Sequence, residues 1–341
     1  MRIAIDARKI GDYGIGTYIR GLLRGLEEIE APEEYIVLAP STAAIPKRFE
    51  HVALDVPHYS ARELIEVGRA VKRARADLLH APHYVVPFTA TPVVVTIHDL
   101  IHLHQRHRNP LKPLYARTML GRAVRKSARV LTVSEAVKRD IVTTFGCDET
   151  RVIVTPNGID PQFTPGDTPP SDYFLFAGND KPHKNVDPLV DAFADVRRSR
   201  PDLRLVLAGA AFARFASRDG VECVGFVDDL AALYCGALAV VVPSSEEGFG
   251  LPAAEAMACG AAVITSHADA LVEVTADAAL HTTDFAESML RVANDDALRR
   301  DLALRGIERA SRFTWRACAE KTRSAYLDGR RQTADGRRQT R

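Results

Sequence analysis

Glu247–Gly260 reads EGFGLPAAEAMACG: two carboxylates, Glu247 and Glu255, bracket a Gly-Phe-Gly turn and the start of a helix. Just ahead of it the apolar run Ala239–Val242 ends at Pro243, so the order is buried strand, glycine-rich turn, helix. Pro252 suits a first helical turn, where its missing N–H costs nothing, and Glu255 follows one turn later. Backbone N–H groups at such a helix start attract anions, and glycines let a phosphate or sugar approach the chain closely. A carboxylate beside an anion site is unfavourable unless it binds something else, such as sugar hydroxyls. The string therefore points to a sugar attached to a phosphate. Its plainer reading is a βα turn with two solvated glutamates.

Lys184, within Lys181-Pro182-His183-Lys184-Asn185, follows a strand that ends at Gly178 and precedes an apolar-periodic helix. If the two strands are neighbours, this cation faces the same anion as Gly248–Gly250. A preorganised lysine with backbone amides stabilises the charge that builds on a departing nucleoside diphosphate. The plainer reading is a surface lysine at a helix start. Gly14-Ile15-Gly16-Thr17 follows the first strand and opens a helix, but the six-residue dinucleotide fingerprint is absent, so a plain turn stays open. His98 and Asp99 end a valine-rich strand, where a histidine is commonly structural. No D-x-D triplet occurs, so the usual metal bridge to a diphosphate has no ligands. No metal and no cofactor is expected. No Ser-His-Asp or Cys-His arrangement can be argued from spacing, and the two glutamates look committed to binding rather than hydrolysis.

Apolar strands alternate with amphipathic helices throughout, which predicts parallel sheets in an α/β architecture. Strands are expected at Ile3–Asp6, Ile36–Ala39, Leu78–His80, Val93–His98, Val130–Val133 and Val152–Thr155. Helices are expected at Gly16–Ile29, Ala61–Ala74, Leu111–Lys126 and Glu135–Phe145. Pro161–Pro170 holds four prolines and a glycine and reads as a linker. Strands then restart at Tyr173–Ala177, Leu203–Ala208, Val221–Val224, Ala239–Val242 and Ala262–Thr265. Phe285–Ala293, Ala297–Ser311 and Trp315–Leu327 read as terminal helices. The domains expected are 1–165 and 171–312, each doubly wound, followed by a helix at 313–328. The tail 329–341 repeats DGRRQT and reads as disordered.

At 341 residues the chain suits two domains, and 46% hydrophobic with 26% charged residues is ordinary for a soluble globular protein. No apolar run is long enough to span a membrane, and no export signal opens the chain. Five scattered cysteines without metal-ligand spacing fit reduced thiols in a cytoplasm. Net charge is +1, yet Leu100–Ser134 carries eight Lys+Arg, three His and no acid. A one-sign run of that length suggests an anionic partner. Apolar Leu111, Leu114, Tyr115, Met119 and Leu120 are interleaved with it, an amphipathic cationic design suited to peripheral contact with an anionic membrane. A solvated helix balanced by acids elsewhere is the alternative.

The EGFGLPAAE string closely resembles the signature of retaining glycosyltransferases of family four, which have the GT-B fold. Ile3–Tyr18, Val93–Asp99 (VVVTIHD), Val130–Ser134, Val154–Asp160 (VTPNGID), Phe176–Asn185 (FAGNDKPHKN) and Val224–Val227 match the family's segments in order, over roughly residues 1–327. The resemblance implies two Rossmann-like doubly wound α/β domains facing a central cleft, with the last helix packed back on the N-terminal domain. It implies transfer of a hexose from a nucleotide sugar to an acceptor hydroxyl of a glycan or lipid-linked acceptor. In the family's pattern Lys184 binds the diphosphate, Glu255 the ribose hydroxyls and Glu247 the sugar ring hydroxyls. Gly225 to Val227 accommodate the base, Gly14 and Gly16 reach the diphosphate, and His98 lies beside the transferred sugar. Gly248, Phe249, Gly250 and Leu251 form the phosphate loop and helix start. The family often carries an arginine before the lysine; here Asn179, Lys181 and His183 occupy that stretch.

Front-face transfer follows from the resemblance, with the departing diphosphate taking the acceptor proton. PHKN and SSEEGFGLP are similar to bacterial mannosyltransferases, which favours GDP-mannose over UDP-glucose as donor. The loops Ser41–Pro57 and Leu103–Pro113 are expected to choose the acceptor. A GT-B sugar-nucleotide epimerase or phosphorylase is the rival enzyme. A non-catalytic polyanion-binding protein is the rival of another class, but the basic run lacks stacking aromatics beyond Tyr115, so no nucleic-acid partner is expected.

Overall fold

The computed structural model describes residues 1–341 apart from 31, 105–110, 167–169 and 340–341, with backbone alone at 111, 112 and 331–339. The chain forms two compact units, 1–158 with 314–341, and 159–313.

Unit 1 alternates strand and helix as the apolar pattern predicts: β1 (Arg2–Asp6), α1 (Ile15–Glu28), β2 (Glu34–Ala39), β3 (Glu50–Ala53), α2 (Ala61–Arg73), β4 (Leu78–Ala81) and β5 (Val93–Ile97). It continues through α3 (Ile101–His104), α4 (Leu111–Lys126), β6 (Arg129–Thr132), α5 (Glu135–Phe145) and β7 (Val152–Val154). The seven strands are parallel in the order β3-β2-β1-β4-β5-β6-β7. Helices cover both faces, so successive β1 side chains serve two cores. Ile3 and Ile5 pack with Leu22 and Leu26 on one face, while Ala4 packs with Leu79, Val95 and Ile141 on the other. Ser60 and Ser134 cap α2 and α5 by accepting the N–H of Glu63 and Val137.

Unit 2 holds β8 (Tyr173–Ala177), α6 (Val186–Ser199), β9 (Arg204–Ala208), β10 (Val221–Gly225), α7 (Leu230–Gly236), β11 (Ala239–Val242), α8 (Leu251–Ala258) and β12 (Val263–Thr265). It ends with α9 (Asp269–Thr275), β13 (Leu280–His281), α10 (Phe285–Asn294) and α11 (Asp296–Ala310). Its six parallel strands run β10-β9-β8-β11-β12-β13. Phe174, Phe176, Leu207, Val241 and Ile264 anchor its core.

The final helix, α12 (Trp315–Gln339), belongs to unit 1 and lies along α1. Gly25 permits the approach: a Cβ there would sit 2.1 Å from the Trp315 carbonyl oxygen. The Tyr326 hydroxyl meets His80 Nδ1 at 2.7 Å, and His80 Nε2 meets Thr96 Oγ1 at 2.8 Å. Burial pushes His80 down to about 3, so the ring is neutral.

Four expectations change. Strand β3 was not anticipated, because EHVA is a largely exposed edge strand without an apolar signal. The two-residue edge strand β13 escaped for lack of length. The proline-rich stretch is no free linker in its described part, since 167–169 lie outside the described residues: Phe163 packs on Tyr234 with ring centroids 5.7 Å apart, and Cys235 Sγ donates to the Thr164 carbonyl. The chain instead passes between units at 158/159 and 313/314, so the boundaries expected at 165 and 171 shift. The tail expected to be disordered from 329 continues α12 as far as Gln339, in keeping with its arginine- and glutamine-rich composition. Among the described residues no helix is long and apolar enough to cross a membrane.

Candidate active site

In a doubly wound sheet the crevice opens at the carboxyl ends of strands, where the strand order reverses. In unit 2 that point lies between β8 and β11, which are hydrogen-bonded neighbours (Ala239↔Phe174, Val240↔Leu175). Lys184 follows β8 and Glu247 follows β11. Lys184 Nζ donates to Glu247 Oε1 at 2.6 Å, with the side chains 14% and 9% exposed. The two segments are tied together by backbone. Ser245 N–H donates to the His183 carbonyl at 2.8 Å, and Asn185 Nδ2 donates to the Pro243 carbonyl at 2.9 Å. Asn185 adopts the left-handed conformation (φ 52°) that turns the chain from the lysine into α6.

Gly250 is the N-cap of α8 at φ 91°, and a Cβ there would meet Leu271 Cδ2 at 2.5 Å, so glycine is required. Pro252 follows in the first turn, which carries no acidic residue and no capping side chain. The helix start therefore keeps its partial positive charge beside Lys184 and Glu247. Phe249 sits in this loop with its side chain turned inward. Its ring is 4% exposed and packs edge-on against Phe313 at 5.3 Å, so only its backbone can serve a ligand. An aromatic between two glycines fills core that the glycines cannot. Leu251 is half-buried at the first position of α8.

Glu255 is also held. The Tyr234 hydroxyl on α7 donates to Glu255 Oε2 at 3.1 Å, and burial pushes the Glu255 carboxyl up to about 7, opposed by that hydrogen bond and reinforced by Asp160. Gly225 takes φ 68° with open space where a Cβ would stand. Val227 is half-buried two residues on, and Phe226 between them is 65% exposed. Asn179 is exposed. In the stretch where the family often carries an arginine, Lys181 is exposed and His183 is buried. Sequence reasoning missed Arg214, which pairs with Asp180 at 2.8 Å and Asp187 at 2.7 Å beside this segment. It also missed Tyr234 and Asn185, because a hydrogen-bonding tyrosine or asparagine leaves no spacing signal.

Gly14, Gly16 and His98 belong to unit 1, whose strand order reverses between β1 and β4. Gly14 caps α1 at φ 61° without a side chain; Gly16 is closed in, a Cβ there meeting the Ile10 carbonyl at 2.6 Å. His98 Nε2 lies 2.9 Å from the Pro82 carbonyl and its ring is edge-on to Tyr18 at 4.8 Å. Burial lowers its pKa, so the ring is neutral with the proton on Nε2, since a carbonyl can only accept.

Unit 1 also buries an ion cluster at the end of β1. Arg8 Nη2 lies 2.7 Å from both Asp6 Oδ2 and Glu63 Oε1, and His83 Nε2 stands 3.7 Å from Glu63. Asp6, Glu63 and His83 have the spacing of metal ligands, but the Arg8 guanidinium already occupies the charge they offer. A divalent ion would have to displace a buried arginine.

The basic run changes character in the structure. Met119 and Leu120 are buried, leaving Leu114 and Tyr115 as the exposed apolar residues; Leu111 lies outside the described side chains. Arg122 donates to the Val86 and Pro87 carbonyls and covers the Phe88 ring at 4.8 Å.

Comparison with known proteins converges on one family. Residues 13–163 match the family described as Glycosyltransferase Family 4, and residues 171–295 match Glycosyl transferases group 1. An O-antigen chain mannosyltransferase B of Escherichia coli is 27% identical over 75% of this chain and 76% of its own. A D-inositol 3-phosphate glycosyltransferase of Pseudarthrobacter chlorophenolicus is 27% identical over 92% of this chain and 90% of its own. The structure of sucrose-phosphate synthase from Thermosynechococcus elongatus superposes with a TM-score of 0.78 at 19% identity, covering 98% of this chain and 100% of that one. With two parallel-sheet units and these matches, the chain belongs to the family-four glycosyltransferases of GT-B fold.

Proposed function

We propose that the protein transfers a hexose from a nucleotide sugar to an acceptor hydroxyl in glycan or glycolipid biosynthesis, with retention and without a metal. The observation that carries this reading is the Lys184–Glu247 pair at the α8 N-terminus, on the strand-order reversal of unit 2. The pair holds a cation for a diphosphate and a carboxylate for sugar hydroxyls side by side, at 2.6 Å. When donor enters, Lys184 turns to the diphosphate and Glu247 accepts from ring hydroxyls. The charge gained by the leaving group then meets a lysine and helix-start amides already in place.

In this reading Glu255 accepts the ribose hydroxyls, and Gly225 to Val227, with their open backbone, receive the base. Gly248, Gly250 and the backbone of Phe249 and Leu251 line the phosphates, with Asn179 at the rim. Gly14, Gly16 and neutral His98 serve the transfer from the sheet edge of unit 1. Absence of a D-x-D triplet supports metal independence. The name of the Escherichia coli relative, a mannosyltransferase, supports a mannosyl donor; GDP-mannose is therefore the first donor proposed and UDP-glucose the next.

Exposed Leu114 and Tyr115, with exposed Arg117, Arg125 and Lys126 on the same helix, support docking on an anionic leaflet at the inner face of the membrane. The test of the enzymatic reading is release of nucleoside diphosphate from a panel of GDP- and UDP-hexoses. Proton NMR of the product then reads the anomeric configuration: an α-linked sugar from an α-linked donor supports retention, and a β-linked one excludes it.

A further inference from the structure

Three tyrosines gather at the carboxyl edge of the unit 1 sheet, beside its strand-order reversal. Tyr59 precedes α2, Tyr84 follows β4 and Tyr115 lies on α4. The rings of Tyr59 and Tyr84 are 6.5 Å apart, and Tyr59, Tyr115 and Asp99 are close enough to perturb Tyr84. Tyr59 and Tyr115 are 53% and 45% exposed.

Tyr59 is held there against its own preference. Its φ is +59°, a left-handed conformation that costs a bulky residue free energy and persists only where the surroundings impose it. Its N–H donates to Glu63 Oε2 at 2.6 Å, while the other oxygen of Glu63 binds Arg8 at 2.7 Å. The buried Asp6–Arg8–Glu63 cluster thus fixes the backbone of an exposed aromatic. Lys9, itself 4% exposed, lies 4.7 Å from the Tyr59 ring centroid and occupies its inner face. Tyr59 nonetheless stays 53% exposed. Polar groups lie nearby: Asp12 pairs with Lys9 at 3.1 Å, and half-buried Asp99, after β5, is close enough to Tyr84 to perturb it.

We propose that Tyr59, with Tyr84 and Tyr115, is the platform on which the acceptor sugar stacks. A pyranoside has one apolar C–H face and a rim of hydroxyls. An exposed tyrosine ring with further phenols and carboxylates nearby matches both. Lys9 and Tyr84 cover only part of this strained, buttressed aromatic, and a preorganised stacking surface saves ordering cost on binding. The inference rests on the glycosyl-transfer reading and places acceptor choice at Tyr59, Tyr84 and Tyr115 rather than in 41–57 and 103–113.

The test uses the full chain with methyl α-D-mannopyranoside, methyl α-D-glucopyranoside and methyl α-D-galactopyranoside, in the presence of GDP or UDP. Saturation-transfer NMR should mark the C–H protons of one ring face of at least one glycoside. Tyr59→Phe should bind within about twofold of wild type. Tyr59→Gly relieves the positive φ, so it should fold at least as well, yet weaken the glycoside about tenfold. Unchanged affinity in folded Tyr59→Gly overturns the proposal, as does absence of saturation by every glycoside in a chain that nucleotide sugars stabilise. The two failures separate: binding of a glycoside through Tyr59, with no stabilisation by any nucleotide sugar, keeps the platform and removes the transfer reading.

Discussion

Lys184 and Glu247, 63 residues apart in sequence, meet at 2.6 Å because β8 and β11 are neighbours in one parallel sheet. The pairing changes what each residue does in the donor-free protein. Neither charge is idle, and each offsets the cost of partly burying the other.

Removing one partner therefore has two effects. Lys184→Ala should lower turnover by about two orders of magnitude, the usual effect of losing one preorganised donor at a charge-developing centre. It should also cost stability, about 1–3 kcal/mol, because the Glu247 carboxylate is left without its partner. The double variant Lys184→Ala/Glu247→Gln should recover that stability but not the activity. Calorimetry on both variants checks the coupling; equal stability of the single and double variants would contradict it.

Glu255 sets a pH dependence for donor binding. Its carboxyl titrates near 7 in the free protein, raised by burial. Ribose hydroxyls donating to it favour the ionised form and pull the bound pKa down. Affinity should therefore be weak below about pH 6, rise with pH and level off above 7. The sign for stability is opposite: with the folded pKa raised, the contribution is full below the ordinary carboxylate value and is lost as pH rises through 7. Nucleotide-sugar Kd against pH, in wild type and Glu255→Gln, checks this; a sloping curve in Glu255→Gln would assign the titration to another group.

Most of the strands and the positions of Lys184, Glu247 and Glu255 were legible because parallel strands are continuous apolar runs and glycine–proline turns announce helix starts. Edge strands β3 and β13 were not, since exposure and brevity remove the apolar signal. The partners were equally hidden: Tyr234 for Glu255, Arg214 for Asp180, and Arg8 between Asp6 and Glu63 depend on tertiary approach. The direction of the Phe249 ring was hidden for a related reason. Sequence shows that the residue sits in the loop, but only packing shows that its ring turns inward onto Phe313. Pro161–Pro170 has linker composition, yet Phe163 commits it to unit 2.

Close packing of α1 on α12 makes Gly25 sensitive to a single methyl. A Cβ would lie 2.1 Å from the Trp315 carbonyl oxygen, which is backbone and cannot swing away. Gly25→Ala should cost about 2 kcal/mol or more, lowering the unfolding midpoint by about 4 °C or more. An unchanged midpoint would show that α12 is not held as described.

The membrane surface has its own test. Replacing Arg117, Arg125 and Lys126 with glutamine should abolish sedimentation with anionic vesicles at low salt and leave donor binding intact. Arg122 is excluded, because its guanidinium serves the Val86 and Pro87 carbonyls. Failure of the wild type to bind anionic vesicles would assign the basic run to a purely structural face.

The most direct measurement is thermal stabilisation of wild type and Lys184→Ala by a panel of GDP- and UDP-hexoses with EDTA in excess. One nucleotide sugar at about 100 times its Kd should stabilise the wild-type chain by about 2.7 kcal/mol, with or without EDTA. The same concentration should leave Lys184→Ala nearly unshifted. A wild-type chain stabilised by no nucleotide sugar, or a Lys184→Ala chain stabilised as fully as wild type, would contradict a donor site built on the Lys184–Glu247 pair.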